Sequence, residues 1–168
     1  MQPWQHVAVA ELNELPLGLR AFLRVYRWRE IDPIPWSAPK KSLAQSNIAL
    51  VSTAGFVTPE QAPFDDAVKG GDYSFREISA DADVRTLIDT HRSESFDHSG
   101  IRSDHNLGFP LDRLRELQRE GVIGPLNHRQ WSFMGSITAT ARLVKETAPA
   151  AAQQAVEDGV DAALLVPV

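Results

Sequence analysis

Apolar positions along the chain recur with two spacings, and the segments carrying them alternate. Asn47-Ile48-Ala49-Leu50-Val51-Ser52-Thr53 is a short, continuous apolar run of β-branched character that leads into Ala54-Gly55-Phe56. That pattern predicts a buried strand over 47–53 running into a glycine turn. Tyr73-Ser74-Phe75-Arg76-Glu77-Ile78 alternates residue by residue and predicts a second strand. Leu111, Leu114 and Leu117 recur at helical spacing between Pro110 and Gly121, with Asp112 near the start and Arg115 and Arg119 on the other face. They predict an amphipathic helix closed by the glycine. Trp131-Ser132-Phe133-Met134-Gly135 reads as a short strand and turn, with its large side chains in the core. Residues 138–158 read as a long helix kinked or split by Pro149, and 161–166 as a final strand.

Strand and helix thus alternate from residue 46 onward. The expected fold class is α/β, a three-layer, mainly parallel sheet flanked by helices. Both apolar runs, 47–53 and 161–166, are expected adjacent or close to one another at the sheet centre. Residues 1–45 form a separate N-terminal segment, expected to pack on the body. Within it, residues 4–30 read as mostly helical with a break at Pro16. Residues 31–45, with Pro33, Pro35, Pro39 and Trp36, read as an irregular connector.

Composition narrows the class without naming a chemistry. The 168 residues carry a net charge of -5, which argues against a nucleic-acid partner, since neutralising phosphates takes clustered cations. The basic cluster Arg20, Arg24, Arg27 and Arg29 alternates with Leu19, Phe22, Leu23, Val25, Tyr26 and Trp28, as on one cationic face of an amphipathic helix. The sequence has neither a signal-peptide pattern nor an apolar stretch of membrane-spanning length, so a cytoplasmic location is the expectation. The chain contains no cysteine. Disulfides, thiolate metal sites and cysteine nucleophiles are therefore excluded within these residues.

Candidate chemistry concentrates in two places. The turn at Ser52, Thr53 and Gly55 follows a predicted central strand. It lacks the three-glycine spacing of a dinucleotide fingerprint, and it reads either as a simple tight turn or as a substrate-binding turn. The polar stretch from Thr90 to Asn106 holds His91, His98 and His105, three of the five histidines. It includes the carboxylate–imidazole neighbours Asp97-His98 and Asp104-His105, followed by Asn106. Three readings stay open: a divalent-metal site, a substrate or proton-transfer site, and a hydrogen-bonded structural loop. Residues adjacent on a strand face opposite ways, so neighbouring Asp and His need not cooperate. His6 and His128 read as surface residues.

Taken together, these blocks resemble the selenoprotein B family of glycine, sarcosine, betaine and D-proline reductases. The resemblance is carried by Ile48–Gly55, by Ala62-Pro63-Phe64-Asp65, by Phe96-Asp97-His98, and by Asp104-His105-Asn106 leading to Phe109-Pro110-Leu111-Asp112-Arg113-Leu114. It continues through Glu120-Gly121-Val122-Ile123-Gly124, Ser132-Phe133-Met134-Gly135 and Glu157-Asp158-Gly159-Val160-Asp161-Ala162, in order, from about residue 46 to the end. The first 45 residues carry no match.

The resemblance implies the substrate-specific subunit of a selenocysteine- or cysteine-dependent reductase that cleaves a C–N bond using a dithiol donor. In this family the terminal strand leads at once into a redox motif of selenocysteine or cysteine followed shortly by cysteine. The expectation is that this motif follows Val168, so that no catalytic residue, cofactor or metal lies within the 168 residues and residues 46–168 are an incomplete domain. A true terminus without reductase chemistry, leaving a non-catalytic α/β binding module, is the other reading. Expected partners are a small amino-acid-like substrate and the dithiol donor or other reductase subunits, without nucleic acid or membrane; a homo-oligomer is left open. Ser52, Thr53, Gly55, Asp97, His98, Asp104, His105 and Asn106 are the candidates for substrate binding or proton transfer.

Overall fold

The computed structural model describes residues 12–26, 30–93 and 98–168. The chain divides into two compact units, residues 1–37 and residues 38–168. In the first, Leu12–Glu14 forms a 3-10 turn and helix α1 spans Leu17–Val25. Pro16 stands at its N-cap, where a missing N–H costs no helical hydrogen bond. Tyr26 turns extended and closes the helix by donating to Phe22 O at 2.9 Å. Within the 4–30 stretch the described residues thus hold a 3-10 turn, an interruption at Pro16 and a helix ending at Val25; residues 1–11 and 27–29 lie outside the described residues.

The second unit holds strands β1 (Ile48–Ser52), β2 (Phe56–Val57), β3 (Phe75–Ser79), β4 (Ile88–Asp89), β5 (Arg129–Phe133) and β6 (Ala162–Val166). Its helices are α2 (Ser99–Ser103), α3 (Leu111–Arg119) and α4 (Ala148–Glu157). Among the described residues the main sheet runs β3-β5-β1-β6. β1 pairs in parallel with both β5 and β6, and β3 pairs antiparallel with β5. β2 and β4 form a separate antiparallel ribbon. The sheet is mixed, mostly parallel, and flanked by helices on both faces, as expected of a three-layer α/β fold.

Strand periodicity assigns the two faces. Ile48 and Leu50 point to a core shared with Ile78, Phe109, Leu111 and Leu114, which seats α3. Ala49, Trp131 and Phe133 point to the opposite core, where Ala151 seats α4. Alternation of side chains along β1 and β5 is what allows helices to cover both sides. At Leu50 the backbones of β1 and β5 are bridged by a side chain. Leu50 N–H donates to Gln130 Oε1 at 2.5 Å, and Gln130 Nε2 donates to Asn127 O at 2.6 Å. Gln130 is fully buried, and both ends of its amide are satisfied.

At the start of β5, Asp158 receives both arms of Arg129, at 2.7 and 2.8 Å, and Asn127 Nδ2 at 2.9 Å. The Arg129 hydrogen bonds hold the Asp158 carboxyl at about 2, below its ordinary value. This fork ties the start of β5 to the end of α4. Gly159 then closes the helix with φ at 70°, as Val160 N donates to Ala155 O and Gly159 N to Val156 O, and β6 follows.

Two expectations need correction. The helix over 138–158 starts late: a π-helical turn at Leu143–Thr147 runs into α4, and Pro149 falls in the first turn of α4, where its absent N–H is tolerated. β6 lies beside β1 as expected, but among the described residues it is the edge strand and not a central one. Its Leu164 is 41% and its Leu165 68% exposed, against zero for Leu50. An apolar run marks a strand but does not say how many neighbours it has.

This difference in burial is measurable. Leu50→Ala should cost about 3 kcal/mol, the usual price of a core cavity, whereas Leu165→Ala should change stability by less than about 0.5 kcal/mol. Urea unfolding of the two variants reads the contrast, and equal losses would place β6 inside the core.

Candidate functional site at the carboxyl edge of the sheet

Parallel strands end on the same edge, so the segments following β1 and β6 meet there. Thr53 N donates to Val166 O at 3.0 Å. Val168 N donates to Thr53 Oγ1 at 2.8 Å, and Thr53 Oγ1 donates to Val168 O at 3.3 Å. The last residue is thus held against the turn that follows β1, where the sequence placed a candidate site. The α4 side of this edge opens into a cleft of about 430 Å³ lined by Val51, Phe133, Met134, Leu143, Leu165 and Pro167, with Thr53 at its border. The lining is apolar, which suits packing rather than recognition of a charged amino acid.

The other side of the edge is polar and is built by the β2–β4 ribbon. Ala54 bridges to Met134, and Gly55 N donates to Phe133 O at 2.9 Å, so the chain leaving β1 crosses the end of β5. Phe56 and Val57 then pair with Asp89 and Ile88. Thr90 returns against the turn, its N–H and Oγ1 donating to Gly55 O at 3.2 and 2.6 Å. Gly55 has φ at 68°, and a Cβ there would lie 3.0 Å from His91 Cα, so only glycine lets the two strands of backbone come this close.

His91 is buried against this turn, 8% exposed. Its N–H donates to Asp89 Oδ1 at 3.0 Å, and its Nδ1 accepts from Ser93 N at 3.3 Å. Burial, reinforced by the neighbouring His98 and opposed by Asp89, pushes the His91 imidazole below its ordinary value, so the ring is neutral near pH 7. A Cβ on Gly135 would lie 2.9 Å from His91 Nε2, 2.9 Å from Thr53 O and 2.5 Å from Val168 O. The bare glycine therefore brings the imidazole, the turn and the end of β6 around one point.

Asp89 organises this cluster. Its Oδ2 meets His98 Nδ1 at 2.5 Å and accepts from Arg102 Nε at 3.2 Å, while Oδ1 holds the His91 backbone. Burial alone would raise the Asp89 carboxyl, but the hydrogen bonds from His98, His91 and Arg102 outweigh it and leave the group below its ordinary value. The His91 and His98 rings stand edge to face, 5.9 Å apart.

The remaining sequence candidates have other partners. Ser52 is fully buried, its Oγ donating to Gly108 O at 2.5 Å and accepting from Ala54 N, which knits β1 to the loop before α3. His98 pairs with Asp89; its neighbour in sequence, Asp97, lies outside the described residues. His105 places Nδ1 at 2.8 Å from Val84 O and its ring against Phe56. Asp104 accepts from Asn106 N, and Asn106 bonds both the side chain and the N–H of Asp112, so these two residues organise the start of α3. Among the described residues no group of three or more His, Asp or Glu side chains could hold a metal ion, and no helix is long and apolar enough to cross a membrane.

A family model described as Glycine/sarcosine/betaine reductase selenoprotein B matches residues 17–168. The chain belongs to the selenoprotein B family of glycine/sarcosine/betaine reductases. Among curated relatives, it is 37% identical over 136 residues to a D-proline reductase subunit gamma of Acetoanaerobium sticklandii, covering 80% of this chain and 54% of that protein. It is 32% identical over 119 residues to a glycine reductase complex component B subunit gamma of Symbiobacterium thermophilum, covering 69% of this chain and 27% of the relative. It is 30% identical over 138 residues to a sarcosine reductase complex component B subunit beta of Peptoclostridium acidaminophilum, covering 80% and 30%. The chain thus spans about half the length of the first relative and less than a third of the other two. No solved structure matches it. The relatives are oxidoreductase complex components, and the family match extends further toward the N-terminus than the resemblance read from residue 46.

His91, which this selenoprotein B-family edge places at its centre, lay in the polar stretch read from sequence but not among the residues named for substrate binding or proton transfer. The available signal was Asp89 and His91 two residues apart, on the same side of an extended segment. Its lowered imidazole has a sign that stability measurements can read. Below the ordinary 6.5 the unfolded chain takes up a proton that folded His91 resists, so stability falls as pH drops through that value. His91→Gln should show a smaller loss than the unsubstituted chain between about pH 7.5 and about pH 5.5 in urea titrations. An equal loss in both would mean that the ring titrates normally.

Proposed function

We propose that this chain supplies the substrate-side scaffold of a selenocysteine- or cysteine-dependent reductase subunit that cleaves a C–N bond of glycine, sarcosine, betaine or D-proline with a dithiol donor. In this reading the redox pair follows Val168, so the nucleophile enters the site from the end of β6. The observation that carries the proposal is the docking of Val168 on Thr53 beside His91 and Gly135, which delivers whatever follows to the carboxyl edge of the sheet. The family membership and the names of the relatives, all components of reductase complexes, support the reaction class.

The chemistry explains why such an edge suits the reaction. A selenolate or thiolate attacks the carbon that bears the amine, the C–N bond breaks and the amine leaves with a proton. The second thiol then attacks the carbon-bound selenium or sulfur, the bond to carbon breaks, the carbon leaves with a proton, and a selenenylsulfide or disulfide closes. An external dithiol restores the pair as it is itself oxidised to a disulfide. The scaffold has to hold the anion and keep proton-handling groups near the departing amine. The Asp89–His98 pair lies on one side of the edge to meet the proton requirement. The other reductase subunits are the partners expected in this reading, in cytoplasm.

The apolar cleft favours a second role at the same edge, as a packing surface for a partner subunit. As a bare 168-residue protein the chain then acts only as a binding module.

Turnover separates the two. The 168-residue chain has neither thiol nor selenol and should be inactive on amino-acid and betaine substrates. A protein extended through a downstream selenocysteine- or cysteine-containing motif should gain dithiol-dependent reduction with its partner subunits present, and Ser at the first redox position should abolish it. Equal turnover by both lengths would place the chemistry in the residues described here and overturn the reading.

A further inference from the structure

We propose that His91 holds the reacting anion in place, donating a hydrogen bond from Nε2 to the ionised sulfur or selenium of the residue that follows Val168. The inference rests on the reductase reading above and assigns a role that the sequence did not give to this histidine.

Tautomer, direction and reach support it. Ser93 N–H donates to His91 Nδ1, so the lone pair sits on Nδ1 and the single proton of the neutral ring sits on Nε2. Burial keeps the ring in that neutral form, and the Asp89 grip on the His91 backbone and the close packing of Gly55 fix its placement. Nε2 lies within 2.9 Å of the point where a Gly135 Cβ would stand, and Val168 O lies 2.5 Å from that same point. One further residue advances an extended chain by about 3.3–3.6 Å, which keeps its side chain within reach of the ring. Gly135 is the residue that leaves this approach unobstructed.

The electrostatic surroundings fit a hydrogen-bond donor rather than a base. Among the described residues, the charged or titratable groups facing His91 are Asp89 from β4 and His98 before α2, and Arg102 of α2 caps Asp89. Thr53 and Gly135 bring no charge from the sheet side. With the Asp89 charge shared between His98 and Arg102, an N–H aimed at sulfur favours the thiolate over the thiol. No covalent step is assigned to His91, and its proton stays on Nε2.

The chain has no cysteine, so one added after Val168 is its sole thiol. The test follows alkylation of that thiol by iodoacetamide against pH. The thiolate midpoint should fall at least about one unit below the ordinary ~8.5, roughly a tenfold gain in thiolate at neutral pH. His91→Phe should return the midpoint to the ordinary range. His91→Gln, which keeps an N–H donor at similar reach, should retain most of the shift. An ordinary midpoint in the parent, or the same lowered midpoint with Phe, overturns the proposal. Should the Phe variant fail to fold, nitrogen-15 NMR of the His91 ring in the cysteine-extended chain decides. A protonated Nε2 whose resonance moves as the thiol titrates supports the hydrogen bond, and a protonated Nδ1 or an unmoved resonance overturns it. Turnover is read separately, in the protein extended through both redox residues and with its partner subunits present. A lowered thiol without dithiol-dependent turnover sinks the reductase reading alone, and turnover with an ordinary thiol sinks this inference alone.

Discussion

The parallel pairing of β1 with β6 is the constraint from which the rest of the carboxyl edge follows. Five residue pairs, Ile48 with Ala162 through Ser52 with Val166, fix the register. A slip of one residue would turn every β6 side chain to the other face of the sheet. The register continues past the strands, because Thr53 N takes Val166 O and Thr53 Oγ1 takes the Val168 N–H. Two apolar strands therefore do more than fill a core. They bring the last residue of the chain to a threonine 115 positions away in sequence. The energy behind that placement lies mostly in β1, whose buried Leu50 and Ile48 are worth about 1.5–3 kcal/mol each.

A second, smaller device sets the polar half of the site. The β2–β4 ribbon has only two residue pairs and could not stand alone. It is held by what packs around it: Phe56 and Val57 are buried, Gly55 accepts Thr90 and touches His91, and Asp89 is locked by three donors. The outcome is a neutral histidine whose position is dictated by backbone contacts. Rigidity of this kind is what a preorganised hydrogen-bond donor needs, since a donor that must first be oriented gives up part of its effect.

Much of the architecture was legible because the long periodic segments carry unambiguous spacing. β1, α3 and β6 fall where alternation and helical recurrence place them, and the α3 stop at Gly121 follows the usual end signal. β2 and β4 were missed because two residues contain no period to read. The central position expected of β6 failed because apolar character reports burial preference and not neighbour count. At the site, the meeting of Thr53 and Val168 follows from strand parallelism, which the alternating pattern implies. The cluster around Asp89 was not legible. The sequence drew attention to adjacent Asp-His neighbours and did not point to Asp89, the carboxylate that His98 meets nine residues back. Asp104 and Asn106, named as binding candidates, also hydrogen-bond around the start of a helix, a common use for those side chains.

The most direct test of this account is the position of the chain end in solution. Nuclear Overhauser contacts from the Val168 amide should reach the Thr53 methyl and the Gly135 Hα protons, alongside cross-strand contacts between Leu50 and Leu164 in the parallel register. A β6 slipped by one residue, or a Val168 without contacts to Thr53 and Gly135, would contradict it, because nothing following β6 would then enter the edge that His91 faces.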